Sequence, residues 1–293
     1  MPFNKLKGWI KSQALERKYQ RIIKDRFQQL PILQEIDRLK EHKRYQDPKS
    51  LIPFGDKVYS QSDEDGIIRE IFNRIGTTNK TFIEFGIGNG LENNSLALLF
   101  EDWQGLWIDA STKNIKKIRE NYAQIIENKQ LQMVESFITR DNINDLISDK
   151  IKSDEVDLLS VDIDGNDYHV LNAITCVSPR VIVIEYNAKF SPPMMYCMDY
   201  NATHSWQKDD CFGVSLKFLE VNLEGYCLVG CNLSGANAFF VRKDLVGDRF
   251  LAPFTAEQHY EPPRYYLSGY FAGHPATYDT LAKSFTMRSK GKS

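Results

Sequence analysis

The tract FIEFGIGNG (82–90) sets a carboxylate, Glu84, two residues ahead of three alternating glycines, Gly86, Gly88 and Gly90. Glycines behind an apolar run let a backbone turn tightly and come close to a ligand. The spacing fits neither common phosphate fingerprint. A dinucleotide turn needs a glycine where Leu91 stands, and a P-loop needs a lysine that this turn lacks. A carboxylate beside the turn repels a pyrophosphate and attracts a cation. Asp109, in WIDAS, falls at the end of the next apolar run. In a doubly wound sheet that position shares a crevice with Glu84, and an acid there can accept hydrogen bonds from both hydroxyls of a ribose. The plainer alternative is a tight strand–helix turn followed by a charge near a helix cap at Ser111.

Glu84 and Asp109 together suit a ligand that joins an ammonium and a sulfonium to a ribose, which is S-adenosylmethionine. A second acidic group lies further on. SVDIDGNDYH holds Asp162, Asp164, Asp167 and His169, and IEYN holds Glu185 and Asn187. Oxygen ligands meeting from neighbouring strand ends suit Mg²⁺ or another hard divalent ion, with Asp162 and Glu185 as the candidate ligands. Without an ion, Asp162 can take the proton of an acceptor hydroxyl or hold the ammonium of the cofactor. His204, near Trp206 in a long loop, is the other candidate base; its plainer reading is an exposed loop histidine. His169, inside a helix, reads as structural.

These residues need a frame that brings strand ends together. Short apolar runs at TFIEF, GLWIDA, LQMVES, VDLLSVDID and RVIVIEY alternate with helical patterns, which implies βαβ units and a mostly parallel sheet. SQSDEDGIIREIFNRIG reads as a helix capped at Ser62, with Asp65 in capping-box position. NNSLALLFEDW reads as a helix from Asn93 or Asn94, and STKNIKKIRENY as one capped by Ser111. Residues 187–212 read as a long loop, of the kind that covers or forms binding sites. YCLVGCNLSGANAFFVR reads as two antiparallel strands around NLSG. The fold class expected is α/β, with a doubly wound, mostly parallel seven-stranded sheet, an antiparallel C-terminal edge hairpin and a helical N-terminal extension. The division expected is a basic extension over 1–50, with Pro31 breaking two helices, then a catalytic domain over 51–250 and a tail over 251–293.

Composition excludes several classes. The chain has 293 residues, 42% of them hydrophobic, and a net charge of −2, so no global signal points to nucleic acid. Residues 1–50 carry thirteen Lys and Arg against six Asp and Glu, a local +7 that leaves −9 for the remainder. Phe3, Leu6, Trp9 and Ile10 share one side of a possible helix with lysines around them. The extension is thus a candidate for peripheral contact with an anionic membrane surface, or for packing on the domain or dimerisation. No run is long enough to span a membrane, and the N-terminus lacks the apolar stretch of a secretory signal. Five cysteines without a CxxC pair read as reduced thiols in a cytoplasmic protein. The spacing Cys197, His204, Cys211 fits no common zinc pattern.

EFGIGNG, WIDAS and SVDIDGND resemble motifs of class I S-adenosylmethionine-dependent methyltransferases, and the closer resemblance is to the FkbM type. The family's SQ…ED element is matched by Ser60, Gln61, Glu64 and Asp65. Its D-x-[DE]-G element is matched by Asp162, Asp164 and Gly165. IEYNA (184–188) and the final hairpin look similar too, so the resemblance spans residues 55–245. One departure is LENNS, which intervenes between the glycine turn and the next helix. The resemblance implies O-methylation of a hydroxyl, as on polyketides or surface polysaccharides, without fixing the acceptor. Asn94 is carried over as a cofactor contact, and Gln61 and Phe137 complete the expected cofactor set. Methylation of nitrogen or of a carboxylate, and a silent fold used as a binding module, are the competing readings.

Overall fold

The computed structural model describes residue 27 and residues 29–290, apart from the side chain of residue 289. The apolar–basic stretch around Trp9, and any membrane or dimer role for it, lies outside the described residues. The strands are β1 (Thr81–Phe85), β2 (Gln104–Asp109), β3 (Leu131–Glu135), β4 (Glu155–Val161), β5 (Ser178–Glu185), β6 (Tyr226–Cys231) and β7 (Asn237–Arg242). The helices are α1 (29–40), α2 (Glu64–Ile75), α3 (Thr112–Asn121), α4 (Ala123–Glu127), α5 (Ile143–Lys150), α6 (Asp167–Ala173), α7 (Leu216–Asn222), the single turns α8 (Lys243–Val246) and α9 (Ala256–His259), and α10 (Tyr278–Lys290).

The strands form one sheet in the order β3-β2-β1-β4-β5-β7-β6. The first five are parallel, and β7 runs antiparallel to both β5 and β6. This is the seven-stranded, mostly parallel α/β sheet with an antiparallel edge hairpin that the sequence predicts. Strands of a sheet covered on both faces must be apolar on both sides, and TFIEF shows how. Phe82 packs on one face with Trp107, Ile71 of α2, Ile115 and Ile118 of α3, and Phe285 of α10. Ile83 and Phe85 pack on the other with Ile108, Ile143 and Ile147 of α5, and Leu219 of α7. Fully burying one such side chain stabilises by about 1.5–3 kcal/mol. A third, smaller core joins Ile36 of α1 and Tyr45 to Leu267 and Tyr270 near the C-terminus. Among the described residues no helix is long and apolar enough to cross a membrane.

Three local expectations are corrected. Helix α1 continues through Pro31, so no break falls there. The predicted helix after Asn93 is only a 3₁₀ turn (Ala97–Glu101), ended by Asp102 in left-handed conformation. The amides of Asn94 and Ser95 just before it are bound to the Glu84 carboxylate, which ties the segment to β1. Helix α2 begins after Asp63 without a side-chain cap. The acids of its entry are turned elsewhere. Asp65 Oδ2 accepts from the amides of Val58, Tyr59 and Ser60 at 2.7–2.8 Å. Glu64 accepts from the Ser62 amide and the Asn232 and Asn237 side chains, and Asp63 from the Leu233 amide. This acidic tract therefore holds the preceding loop and the β6–β7 turn.

Candidate active site

Strand order reverses between β1 and β4, and open α/β sheets bind ligands beyond the carboxyl ends of the strands at such a point. Two adjoining cavities open there. The smaller, about 340 Å³, is lined by Gly86, Gly88, Asp109, Phe137 and His204. The larger, about 820 Å³, is lined by Gln61, Glu185, Trp206, Phe212 and Tyr265 among others. Asp162 and Asp164 line both. Gln61, Gly86, Gly88, Asp109, Phe137, Asp162, Glu185 and His204 thus meet on two sides of one acidic wall, while Glu84, Gly90 and Asn94 line neither cavity.

The glycine turn is built from close packing as much as from ligand access. A Cβ on Gly86, whose φ is +70°, would stand 1.5 Å from the carbonyl oxygen of Asp162. No other residue lets the ends of β1 and β4 approach so closely. Gly90 lies outside the smaller cavity, and a Cβ there would press on Ile118 of α3. At Gly88 a Cβ would meet nothing, and its amide donates to Asp109 Oδ2 at 2.9 Å. Asp109 Oδ1 accepts from the Ser111 amide at 2.7 Å. Each oxygen of this half-buried carboxylate keeps a lone pair for a ligand. Ser111 also caps α3, as the sequence predicts. From behind, the Tyr122 hydroxyl donates to the Gly90 carbonyl and the Tyr278 hydroxyl of α10 to that of Asn89.

Glu84 does not line either cavity. Its carboxylate accepts from the amides of Asn94 and Ser95 and from the Ser95 hydroxyl, which in turn accepts from Trp107 Nε1. Burial pushes its pKa up to about 7, against the pull of those hydrogen bonds. Glu84 therefore shapes the segment that follows the glycines. Asn94, expected beside the cofactor, gives its side-chain amide to Ser160 at 3.0 Å. Gln61 faces the larger cavity, with its carbonyl held by Lys57 at 2.8 Å.

The acidic wall is different in kind. Strand β4 stops at Val161, and Asp167 then bends the chain by accepting from the amides of Ile163 and Gly165 at 2.7 and 2.8 Å. Asp164 sits in left-handed conformation, φ +56°. One oxygen each of Asp162, Asp164 and Glu185 lies within 4.8 Å of the others. Glu185 Oε2 is buried without a hydrogen-bond partner. Burial first, and then the neighbouring carboxylates, hold Asp162 and Glu185 well above the usual carboxylate range. His204 Nε2 lies 3.1 Å from the Asp164 carbonyl, on the side of the smaller cavity. Its ring therefore lines the smaller cavity and not the larger one. His169 contacts the Met198 carbonyl at 2.7 Å and is structural.

Sequence reasoning misses several lining residues. Ser136, Ile138 and Asn166 join the smaller cavity. Tyr265 and Ser268, from the C-terminal segment, join the larger. The density of tyrosines around 260–270 is the signal that could have found the last two. The loop after β5 lines the larger cavity as expected, and Asn166 anchors it through the Asn201 carbonyl at 2.7 Å.

No family model matches the chain, and no curated protein matches it. Among solved structures it is similar to a candidate caffeoyl-CoA O-methyltransferase from Staphylococcus aureus, at 11% identity over 65% of this chain and 87% of that one, with a TM-score of 0.43. It is similar to a candidate O-methyltransferase from Klebsiella pneumoniae, at 15% identity over 64% and 82%, TM-score 0.40. It is also similar to a SAM-dependent methyltransferase from Aquifex aeolicus, at 14% identity over 67% and 97%, TM-score 0.38.

Proposed function

We propose that the chain is an S-adenosylmethionine-dependent methyltransferase that methylates a hydroxyl of a sugar, in the cytosol, before the finished glycan is exported. The observation that carries this reading is the pair of cavities meeting at Asp162 and Asp164. A group-transfer enzyme with two substrates needs two sites and a shared reacting wall. The smaller cavity takes the cofactor: Asp109 offers its free lone pairs to the ribose, and the exposed ring of Phe137 offers a face to the base. The larger cavity takes the acceptor.

Positioning supplies much of the rate in methyl transfer, because the sulfonium leaves as a neutral thioether. The acceptor oxygen forms its bond to the methyl carbon as the carbon–sulfur bond breaks, and that electron pair stays on sulfur. The hydroxyl proton passes to Asp162. Its raised pKa makes it a stronger base than an ordinary aspartate. Asp164 and Glu185 support it from the same wall.

The donor set also fits a divalent ion. Asp162, Asp164 and Glu185 would hold it, and the unpartnered Glu185 oxygen is the observation in its favour. Such an ion would lower the pKa of a bound hydroxyl and stabilise the developing alkoxide. The test is direct. The purified chain is incubated with S-adenosylmethionine labelled in the methyl group and with glycan pools, and the product is identified by mass. Label on a sugar oxygen supports the reading, and label on nitrogen or no transfer overturns it. Loss of activity with EDTA and recovery with Mg²⁺ or Mn²⁺ supports the ion. Unchanged activity leaves Asp162 as a metal-free base.

A further inference from the structure

The larger cavity has an uneven charge. Its lining holds five carboxylates, Asp162, Asp164, Glu185, Asp209 and Asp210, against two lysines, Lys189 and Lys208, and no arginine. The Lys189 ammonium is already paired with Asp210. Three net negative charges result. A divalent ion on the acidic wall would still leave one, and a single proton shared by Asp162 and Glu185 would leave two. Diphosphate and phosphate groups are bound by arginines, by lysines or by clustered backbone amides. This cavity offers one uncommitted lysine and surrounds it with like charges to the phosphate.

Its aromatic groups point the same way. Trp206 is 42% exposed, yet its ring is fixed. Nε1 donates to the Asp209 carbonyl at 2.8 Å, and the indole meets Phe212 edge-on at 5.9 Å. Tyr265, 49% exposed, lines the same cavity from a segment remote in sequence. Aromatic faces beside carboxylates match a saccharide, which offers apolar C–H faces and a rim of hydroxyl donors. Two such platforms, in a volume of about 820 Å³, give room for more than one sugar ring.

We infer that the acceptor is an uncharged glycan of more than one residue and not a nucleotide-linked or phosphorylated sugar, so that glycosyl transfer precedes methylation. This rests on the methyltransferase reading for the word acceptor; the ligand class rests on the cavity alone. Trp206 then serves as a platform that sets specificity.

The experiment titrates the full chain with an array of uncharged oligosaccharides and with the UDP- and dTDP-linked forms of the same sugars at one ionic strength. Tryptophan fluorescence is read in the wild type and in Trp206→Phe. The expected result is quenching by uncharged members that is lost in Trp206→Phe, with nucleotide-linked forms at least ten-fold weaker. Replacing Asp209 and Asp210 together by lysine narrows that gap. Nucleotide-linked sugars that bind as tightly as the uncharged ones, or an array without any binder, overturn the inference. Calorimetry with S-adenosylhomocysteine runs in parallel. Saccharide binding without cofactor binding overturns the methyltransferase reading and leaves the ligand class standing. Cofactor binding with a preference for nucleotide-linked sugars does the reverse.

Discussion

Two acidic groups stand near the carboxyl edge of the sheet, and they are spent in opposite ways. In Asp63, Glu64 and Asp65 five of the six carboxylate oxygens accept hydrogen bonds, Asp65 Oδ1 being the exception. In Asp162, Asp164 and Glu185 no carboxylate accepts a hydrogen bond from a described residue, and all three face a cavity. Burial raises the pKa in both groups, and the next influence varies within each: for Glu64 it is the charge of Asp63, which raises it further, and for Asp164 it is His204, which lowers it. For Asp65 it is the amides of Ser60, Tyr59 and Val58, which favour the ionised form. For Asp162 it is the charges of Asp167, Asp164 and Glu84, which disfavour it further. Acidic residues whose bonding capacity is met inside the fold build structure. Those whose capacity is left over and that face a cavity are the ones proposed above to do chemistry.

The sharpest way to break this contrast is substitution on each side. Asp162→Asn keeps shape and removes the base, so turnover should fall by about 10²–10⁴. The melting temperature and S-adenosylhomocysteine affinity should stay near wild type. A wild-type rate in that variant ends the catalytic assignment. Asp65→Ala should do the opposite. It strands three amides, at about 1–3 kcal/mol for each one left buried and unbonded, and denaturant unfolding should show the loss while activity per folded molecule persists.

Asp109 tests the same idea on the smaller cavity, since it is half-spent. Asp109→Ala should weaken S-adenosylhomocysteine binding by about 1.5–3 kcal/mol, the range for hydrogen bonds to a charged group, as calorimetry would measure. The smallest effect concerns pH. A base must be unprotonated, so a raised pKa means that activity is lost as pH falls through that raised value. The limb should therefore lie above the ordinary aspartate value of about 3.9. Asp164→Asn removes a like charge and should move the limb down by about half a unit to one unit. A limb that does not move would show that Asp164 does not act on the base.

Periodic features were readable in the sequence because their cause is local. The apolar runs of β1, β2, β4 and β5 are buried on both faces, and Ser111 caps the helix it precedes. What the sequence hid depends on residues far apart along the chain. Asp63 reads as part of a helix start, but its partner is Leu233. Glu84 reads as a ligand for a cation, yet the amides of Asn94 and Ser95 reach it first. Gly86 reads as a ligand-approach glycine, and the structure shows the backbone of β4 against it. Tyr265 enters the larger cavity from a segment with no period to announce it.

The pair Tyr122 and Tyr278 bears on the order in which the molecule is made. Tyr278 grips the carbonyl of Asn89 across a separation of 189 residues. A ribosome delivers the N-terminal part of a chain first. The sheet strands β1 to β5 and the glycine turn are therefore synthesised well before the helix that braces the turn. Until residue 278 is available, the turn lacks one of the two tyrosine hydroxyls that bind its carbonyls, and a nascent chain holds it less firmly braced. Ligand affinity measured on stalled chains of increasing length should accordingly rise in a late step as α10 emerges, after the sheet itself resists proteolysis.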